Sequence, residues 1–526
     1  MVKSTAKPKN EKPIEQILWD AANKLRGKVE SAEYKHVVLS MIFLKYANDR
    51  FFAHREQMKA NNQEAFLEMM PFYEKDNVFY IPECARWSYI MENAKQPDIA
   101  VKIDTALHEI EIKNPSLAGA LPDNYYSRLH MDPSGLSSLI DHINGIQLQV
   151  GDDKDIFGRI YEYCLRQFAL KEGKGKGEFY TPKSVVALLC ELIEPYKGIV
   201  YDGACGSGGM FVQSYRFIDQ HKGNRLDVSI YGQELTDTTR RLAKMNLAIR
   251  GITANLGAEA ANTFLNDQHK DLKADFSLEN PPFNQKDWRE ENQLIDDPRW
   301  NGYPVPPASN ANYGWLLNTL SKLNQNGVGV VLLANGALKS SGDEEYEIRK
   351  RMIENDVIES IIILPRNMFY TTDISVTVWM LNKNKHARTE KRPDGEIRFR
   401  DRSDEILFMD LRQMGHPYEK KYIEFTEEDR ATIIDRFKSW RLESYRTPYM
   451  NIPEFCYSAT KNEILEKDYS LVPSNYLKFI HTVETVNYNE KMTQLQGELK
   501  DLLVQEQKSR YDLLEVMKGL GYGIDI

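Results

Sequence analysis

Apolar residues recur at helical spacing in the first third of the chain. One segment covers positions 14–25 and a second covers positions 37–44, with Gly27 between them as a helix end. This period predicts an all-helical N-terminal domain at residues 13–150, preceded by a polar arm at 1–12 that we expect to be disordered. A further stripe of the same period is formed by Phe157, Ile160, Tyr161, Cys164 and Phe168.

Beyond residue 178 the pattern changes to short apolar runs separated by amphipathic stretches. Strands that alternate with helices predict an α/β fold with a largely parallel sheet, covered on both faces, over residues 151–400. Such a sheet binds ligands beyond the carboxyl ends of its strands. The charged stretch at 386–407 predicts a loop, and 401–480 an extension of the domain. The apolar runs lie at 199–201, 228–231, 275–278, 328–333, 358–364 and 376–381.

Residues 481–526 are predicted to form a helical tail with a coiled-coil seam. Apolar residues alternate there at spacings of four and three, interrupted by the polar Glu506 and Ser509. The seam could pack on this protein or on a helix of a partner, and we favour subunit assembly through a partner helix. The apolar seam positions are Leu495, Leu499, Leu502, Leu513 and Val516.

Composition bounds the class of protein. A chain of 526 residues is long enough for several domains, and 42% hydrophobic with 28% charged residues is typical of soluble globular proteins. No apolar run approaches the length of a membrane span, and the lysine-rich start lacks the apolar core of a secretory signal. The five cysteines form no Cys-x-x-Cys pair, which disfavours a metal site or disulfide framework and favours a reducing cytoplasm.

A glycine-rich loop follows the run at 199–201 and leads into a predicted helix. Its glycines would let a ligand approach the backbone closely. Phe211 occupies the third glycine position of the dinucleotide fingerprint, which disfavours a pyrophosphate-bearing cofactor. Asp202 could accept a hydrogen bond from an ammonium group. S-adenosylmethionine carries such a group and has no phosphates. The candidate loop residues are Asp202, Gly203, Cys205, Gly206, Ser207, Gly208 and Gly209.

An acid also follows the next predicted strand, at 228–231. Glu234 stands where the acid after the second strand of Rossmann-type sites takes the ribose hydroxyls. Together with the glycine loop, it predicts that the cofactor carries an adenosine.

Asn280-Pro281-Pro282-Phe283 forms a rigid corner after the run at 275–278. The prolines fix φ, remove two backbone donors and bias the preceding residues toward extended geometry. The Asn280 side-chain oxygen and the Pro281 carbonyl could accept both hydrogens of a primary aromatic amine, exposing the nitrogen lone pair to a sulfonium methyl. Phe283 could stack on a base that has left the duplex. The corner therefore predicts methyl transfer to an exocyclic amine.

These motifs carry a resemblance to a known family. The segment Glu178-Phe179-Tyr180-Thr181-Pro182, the glycine loop and the Asn-Pro-Pro-Phe corner resemble motifs of amino-methylating DNA methyltransferases. Segments at 18–27, 34–36, 43–46 and 363–369 resemble the modification subunit of Type I restriction-modification systems. The resemblance covers nearly the whole chain. It implies a Rossmann-like S-adenosylmethionine-dependent methyltransferase domain between a helical N-terminal domain and a helical tail, methylating the N6 amine of adenine in DNA in a bacterial or archaeal cytoplasm.

The resemblance also implies roles for particular positions. It assigns Phe179 to Pro182 to the methionine part of the cofactor, Glu178 to the cofactor site, the glycine loop to the cofactor's surroundings and Glu234 to its ribose. Asn262 departs from the family, which commonly has an aspartate near the cofactor's adenine, and an amide oxygen is a weaker acceptor than a carboxylate. The implied partners are double-stranded DNA, a specificity subunit that binds two copies of this chain, and a translocating restriction subunit.

Other chemistries fit the residues less well. Methylation of cytosine C5 needs a cysteine nucleophile, usually after a proline, and none of the five cysteines follows a proline. Methylation of cytosine N4, a stand-alone adenine methyltransferase and a glutamine methyltransferase acting on protein remain alternatives. A non-catalytic assembly subunit is disfavoured, because it would need neither the loop nor the corner.

The chain shows little that could read a DNA sequence. The segment between Phe283 and Tyr313 is too short for a recognition domain, and the net charge of −9 is opposite to that of most proteins that grip DNA alone. The three lysines of segment 171–177 could meet phosphates or form a solvated hinge. We therefore expect another subunit to provide recognition.

Overall fold

The computed structural model describes residues 16, 19, 31–129, 133–145, 156–172, 180–340, 342–370, 372–393, 395–419, 421–479, 488–520 and 522. The predicted arm at 1–12, Gly27 and most of the segments 14–25 and 171–177 lie outside the described residues, as do Glu178 and Phe179. Among the described residues, those up to Leu477 belong to one compact unit and those from Lys478 onward to a second.

The N-terminal part is helical, as its apolar period predicts. The apolar residues of 37–44 lie in the first helix and are buried, and Ile160, Tyr161, Cys164 and Phe168 are buried on the seventh. Leu242 and Met245, from a later helix, complete the same core, so the helical part packs against a helix of the α/β part. The helices are α1 Ser31–Ala60, α2 Pro71–Glu74, α3 Trp87–Asn93, α4 Ile99–Lys113, α5 Tyr125–Arg128, α6 Pro133–Asn144 and α7 Ile156–Glu172.

The centre of the first unit is a sheet that contains all six predicted strands. Among the described residues, nine strands lie in the order β13-β10-β6-β7-β5-β4-β1-β2-β3. All are parallel except β7 and β13, which run antiparallel to their neighbours. The strands are β1 Gly198–Asp202, β2 Val228–Gly232, β3 Ala254–Asn255, β4 Ala274–Glu279, β5 Leu323–Ala334, β6 Ile358–Ile363, β7 Val376–Asn382, β10 Glu405–Asp410 and β13 Cys456–Thr460.

The strand order reverses beside β1. The chain proceeds from β1 to β2 and β3 on one side and returns to β4 on the other. In open α/β sheets, ligands bind at the carboxyl ends of the strands beside such a switch point, which here are the ends of β1 and β4. Helices flanking the sheet are α8 Lys183–Ile193, α9 Gly209–Gln220, α10 Asp237–Ala248, α11 Asn312–Lys322, α12 Asp343–Glu354, α13 Glu427–Arg441 and α14 Lys461–Glu466.

The prediction of a loop at 386–407 is wrong. Strands β8 (Arg388–Arg392) and β9 (Gly395–Phe399) form an antiparallel hairpin, and β10 begins at Glu405. Part of the charge is paired within the fold: Arg392 pairs with the buried Glu194 at the end of α8, and four arginine side chains surround the ring of Phe399. Charge density therefore does not by itself mark a loop. A second, small hairpin joins β11 His416–Tyr418 and β12 Tyr422–Glu424.

The second unit contains one long helix, α15 (Tyr488–Gly519), as the tail pattern predicts. Its apolar seam residues, from Leu495 to Val516, are exposed. A search of the described residues found no helix with the length and apolar character needed to span a membrane.

Candidate active site

Three predicted site residues stand at the ends of adjacent strands. Asp202 ends β1, Glu234 follows β2 by two residues, and Asn280 follows β4 directly. Because β4, β1 and β2 are neighbours and parallel, with Tyr201 opposite Ser277 and Asp202 opposite Gly232, these ends meet at one edge of the sheet. The sheet therefore gathers residues separated by more than seventy positions in the sequence into one crevice.

The glycine loop has the shape of a ligand cradle. Gly206 and Gly208 have φ angles of +52° and +78°, in the left-handed region that favours glycine. A Cβ at Gly206 would have no neighbour within 4 Å, so the space above the loop is open. The loop is held by backbone bonds from Cys205 to Gln233 and from Gly208 to Cys205, while Asn246 donates to the Ser207 carbonyl. Helix α9 then starts at Gly209 without a side-chain cap.

Glu234 lies against this loop. Its Oε2 accepts from the Gly206 amide at 3.2 Å, and its Oε1 accepts from the Thr236 amide at 3.0 Å. These bonds orient a half-buried carboxylate beside the open space above the loop. The geometry suits a group that receives the hydroxyls of a ribose.

Asp202 is buried below the loop. Its Oδ1 accepts from the Ala204 amide at 3.0 Å. Burial, and then the neighbouring charge of Glu279, raise the pKa of the Asp202 carboxyl well above its ordinary value. A bound cation would oppose both effects and lower the pKa of this carboxyl again. Burial likewise raises the pKa of Glu279 to about 7 and holds the Cys205 thiol neutral by raising its pKa.

The Asn-Pro-Pro-Phe corner presents an acceptor with no partner. The Asn280 Nδ2 donates to Thr181 Oγ1 at 2.7 Å, which fixes the orientation of the amide. Asn280 Oδ1 is buried and has no hydrogen-bond partner among the described residues. A buried polar atom without a hydrogen bond costs about 1–3 kcal/mol. The Asn280 oxygen is therefore suited to a donor that a ligand would bring. Phe283 packs edge-on against Phe369, with 6.1 Å between ring centroids.

Several contacts here have no signal in the sequence. The sequence assigned Thr181 to the cofactor, whereas the structure also makes it the residue that orients Asn280. Asn312, at the start of α11, pins the corner by accepting from the Asn284 amide at 3.0 Å. Tyr370 faces Tyr180 with nearly parallel rings, at an interplanar angle of 10°. The family resemblance of segment 363–369 is the one sequence feature that points toward the region around Tyr370.

Asn262 shapes its own loop. Its Oδ1 accepts from the amides of Phe264 at 2.9 Å and Leu265 at 3.2 Å, so a cofactor adenine would compete with two backbone donors. Arg299, which the sequence did not single out, donates to the carbonyls of Thr263 at 2.9 Å and Phe264 at 2.7 Å. The loop that contains Asn262 is thus held by a residue of the segment that follows the Asn-Pro-Pro-Phe corner.

Two family models and two known proteins match most of this chain. The family model described as N-6 DNA methylase matches residues 152–485, and that of the HsdM N-terminal domain matches residues 14–143. The Type I restriction enzyme HindI methylase subunit of Haemophilus influenzae is 38% identical over 84% of this chain and 100% of its own length. The Type I restriction enzyme MjaIX methylase subunit of Methanocaldococcus jannaschii is 34% identical over 97% of this chain and 92% of its length.

A solved structure shares the fold. The crystal structure of a Type I restriction-modification methyltransferase subunit from Streptococcus thermophilus superposes with a TM-score of 0.70 over 88% of this chain and 99% of that chain, at 24% identity.

The sheet is that of a Rossmann-like α/β domain, and the helical N-terminal part and the C-terminal helix complete a fold shared with that methyltransferase subunit. The chain belongs to the N-6 DNA methylase family, among the methylase subunits of Type I restriction enzymes. It is therefore an adenine-specific DNA methyltransferase.

Glu234→Ala is expected to weaken S-adenosylmethionine binding about tenfold to hundredfold, because two hydrogen bonds from ribose to a charged acceptor are lost. Isothermal titration calorimetry with the purified chain measures the affinity. Asp237→Ala, which removes an exposed acid paired with Arg241 nearby, serves as the matched control and should leave the affinity unchanged. An unchanged affinity in Glu234→Ala would remove this residue from the cofactor site.

Proposed function

We propose that the chain transfers a methyl group from S-adenosylmethionine directly to the N6 amine of an adenine that has been flipped out of the DNA duplex. The observation that carries this proposal is the buried, unpartnered Oδ1 of Asn280 beside an open glycine cradle. The free oxygen of Asn280 suits a hydrogen of an amine. The buried carboxyl of Asp202 suits a positively charged cofactor, which the sulfonium provides.

The residues present fit the cofactor. The glycine loop leaves open space, Glu234 offers a carboxylate for the ribose, and Asp202 favours the ammonium group through its buried carboxyl. We assign Tyr180, Thr181 and Pro182, together with Glu178 and Phe179, to the methionine end on the basis of the family motif. When bound, S-adenosylmethionine supplies an electrophilic methyl group on a sulfonium.

The corner acts on the acceptor. Asn280 Oδ1 and the Pro281 carbonyl would each accept one hydrogen of the adenine amine, which withdraws the nitrogen lone pair from the ring and makes it available to the methyl carbon. Thr181 keeps the amide of Asn280 from turning its donor toward the amine. Phe283 would stack on the flipped base, a contact that contributes about 1–3 kcal/mol.

Partners would decide where the reaction occurs. The net charge of −9 and the short segment after the corner argue that another chain provides most of the grip on DNA. We propose a specificity subunit that binds two copies of this chain, and a restriction subunit that joins the complex, as the family relationship suggests. The exposed seam of α15 is the proposed contact with the specificity subunit.

Labelled methyl transfer tests the reaction. The chain, alone and with the partners that co-purify with it, is incubated with methyl-labelled S-adenosylmethionine and host DNA, and the nucleosides are separated. We expect label in N6-methyladenine. Label in N4-methylcytosine, or in protein glutamine, would replace the proposed acceptor with one of the alternatives.

The tail prediction separates assembly from catalysis. Leu499→Asp with Leu502→Asp places charges on the exposed seam and is expected to abolish co-purification of the partner, because a seam contact cannot bury them. Size-exclusion chromatography measures the complex, and calorimetry should find unchanged affinity for S-adenosylmethionine. Lys500→Asp, at an exposed position of the same helix outside the seam, is the control and should retain the complex.

A further inference from the structure

A cavity beside the Asn-Pro-Pro-Phe corner borders Tyr180 and Pro182, which we assign to the cofactor, but its other lining residues have no role in the steps above. It has a volume of about 370 Å³ and lies between α7, the start of α8 and the segment around Tyr370. Arg166, Ser184, Tyr180 and Tyr370 are among its lining residues. We call it the arginine cavity.

The arginine cavity adjoins the corner along two separate stretches of chain. Tyr180 directly precedes Thr181, whose hydroxyl holds the Asn280 amide at 2.7 Å. Tyr370 directly follows Phe369, which packs on Phe283. Any group bound in this cavity would therefore lie next to a base held at the corner.

Two polar atoms on the cavity wall are buried without a partner. The Arg166 guanidinium lies over the rings of Tyr163 and Tyr418, at 5.2 and 5.3 Å from their centroids, so its plane is held in place. Its Nε has no hydrogen-bond partner among the described residues. The same holds for Ser184 Oγ in the first turn of α8. Two donors without partners, one on each of two helices that line the cavity, are consistent with a ligand that accepts hydrogen bonds.

The charges on the wall favour an anion. Besides Arg166, the cations Arg159 and Lys183 line the cavity. Of its two acids, Glu162 is neutralised by Arg216 at 3.0 Å and Arg250 at 3.2 Å, and the exposed Glu424 is the other. An arginine fixed on aromatic rings, in a cavity that a serine also lines, is suited to phosphate oxygens.

We propose that the arginine cavity binds a backbone phosphate of the nucleotide next to the target adenine, with Arg166 and Ser184 as the donors. This inference rests on the proposed function, because it places the phosphate relative to a base at the corner. The contact would hold the flipped strand in position without reading its sequence. The other nearby anion is the carboxylate of the cofactor, and the experiment separates the two.

The test measures DNA binding by the chain in complex with its co-purifying partners. The methylated position is first mapped in DNA treated with the wild-type complex. Duplexes carrying that site are then made with single uncharged methylphosphonate linkages around the target adenine. Dissociation constants are measured across a range of salt concentrations for wild type, Arg166→Gln and Ser184→Ala. Arg446→Gln, an exposed arginine over Tyr445, is the control.

For wild type, neutralising one phosphate linkage next to the target adenine is expected to lower the affinity for DNA about tenfold. Arg166→Gln should bind unmodified DNA about tenfold more weakly. The slope of log affinity against log salt concentration should fall by about one unit, and neutralising that linkage should no longer change the affinity. Ser184→Ala removes a hydroxyl that bonds nothing in the described structure, so it should weaken DNA binding at that linkage without lowering the melting temperature.

Three results would overturn the proposal. Wild type and both variants could respond equally to every linkage, in which case Arg166 contacts no phosphate. The variants could instead lose affinity for S-adenosylmethionine and not for DNA, which would assign the cavity to the cofactor carboxylate. Absence of N6-methyladenine after treatment with the wild-type complex would reject the proposed function at the mapping step, and the phosphate contact would fall with it.

Discussion

Asn280→Ala is expected to lower the kcat of DNA methylation about 100-fold to 1000-fold while leaving the affinity for S-adenosylmethionine unchanged. The substitution removes the one side-chain oxygen that stands buried and unpartnered at the corner. A single preorganised hydrogen-bonding group at a reacting centre is worth about that factor in kcat. Single-turnover methyl transfer with saturating cofactor measures the effect, and calorimetry measures the affinity.

Two further variants sharpen this test. Asn280→Asp keeps an acceptor at the same place and should restore part of the activity. Asn301→Ala, an exposed asparagine in the segment after the corner, should behave as wild type. Near-normal turnover in Asn280→Ala would show that the amine is activated by some other group.

Glu359→Gln is expected to destabilise the first unit by about 3–5 kcal/mol, because it leaves buried arginines without their counter-charge. Glu359 is fully buried on β6 and pairs with Arg402 at 3.0 Å and Arg441 at 3.3 Å. Asn382 donates to its other oxygen at 2.9 Å. Urea unfolding followed by tryptophan fluorescence measures the loss. Glu83→Gln, which breaks an exposed pair with Arg86, should cost less than about 1 kcal/mol.

The same residue predicts how stability depends on pH. Burial alone would raise the pKa of Glu359, but Arg441 and Arg402 outweigh it and lower the pKa to about 2, against 4.5 for the unfolded chain. A carboxyl whose pKa is lower in the folded state stabilises it above the unfolded value. That stability is lost as the pH falls from 4.5 toward 2. Glu359→Gln should lack this part of the acid sensitivity, and an unchanged acid profile would contradict the assignment.

The two predictions concern different parts of one sheet. The carboxyl ends of β1, β2 and β4 carry the proposed active site, and the buried ion cluster on β6 joins that sheet to α13 and to the segment before β10. Loss of the cluster should therefore lower stability without the selective loss of kcat expected at the corner. Comparing the two variants distinguishes a defect in chemistry from a defect in folding.

The sequence by itself determined the local chemistry. The alternation of apolar runs and helices predicted six strands that the structure contains, because burial on both faces requires continuous apolar residues. The backbone of the glycine loop and the proline corner are properties of consecutive residues, so their motifs can be read directly. The acidic net charge also pointed to recognition by another chain before any fold was known.

Only the tertiary structure decided which distant residues meet. The charged residues of β8 and β9 predicted a loop. The structure has a hairpin there, in which charged residues contact Glu194 and the ring of Phe399. The bond from Asn280 to Thr181 and the unpartnered Nε of Arg166 likewise depend on the packing of separate elements. A residue's type states which bonds it can make, but its partner is set by the fold. The motifs therefore predicted methyl transfer to an amine, and the fold showed how Thr181 orients the amide of Asn280.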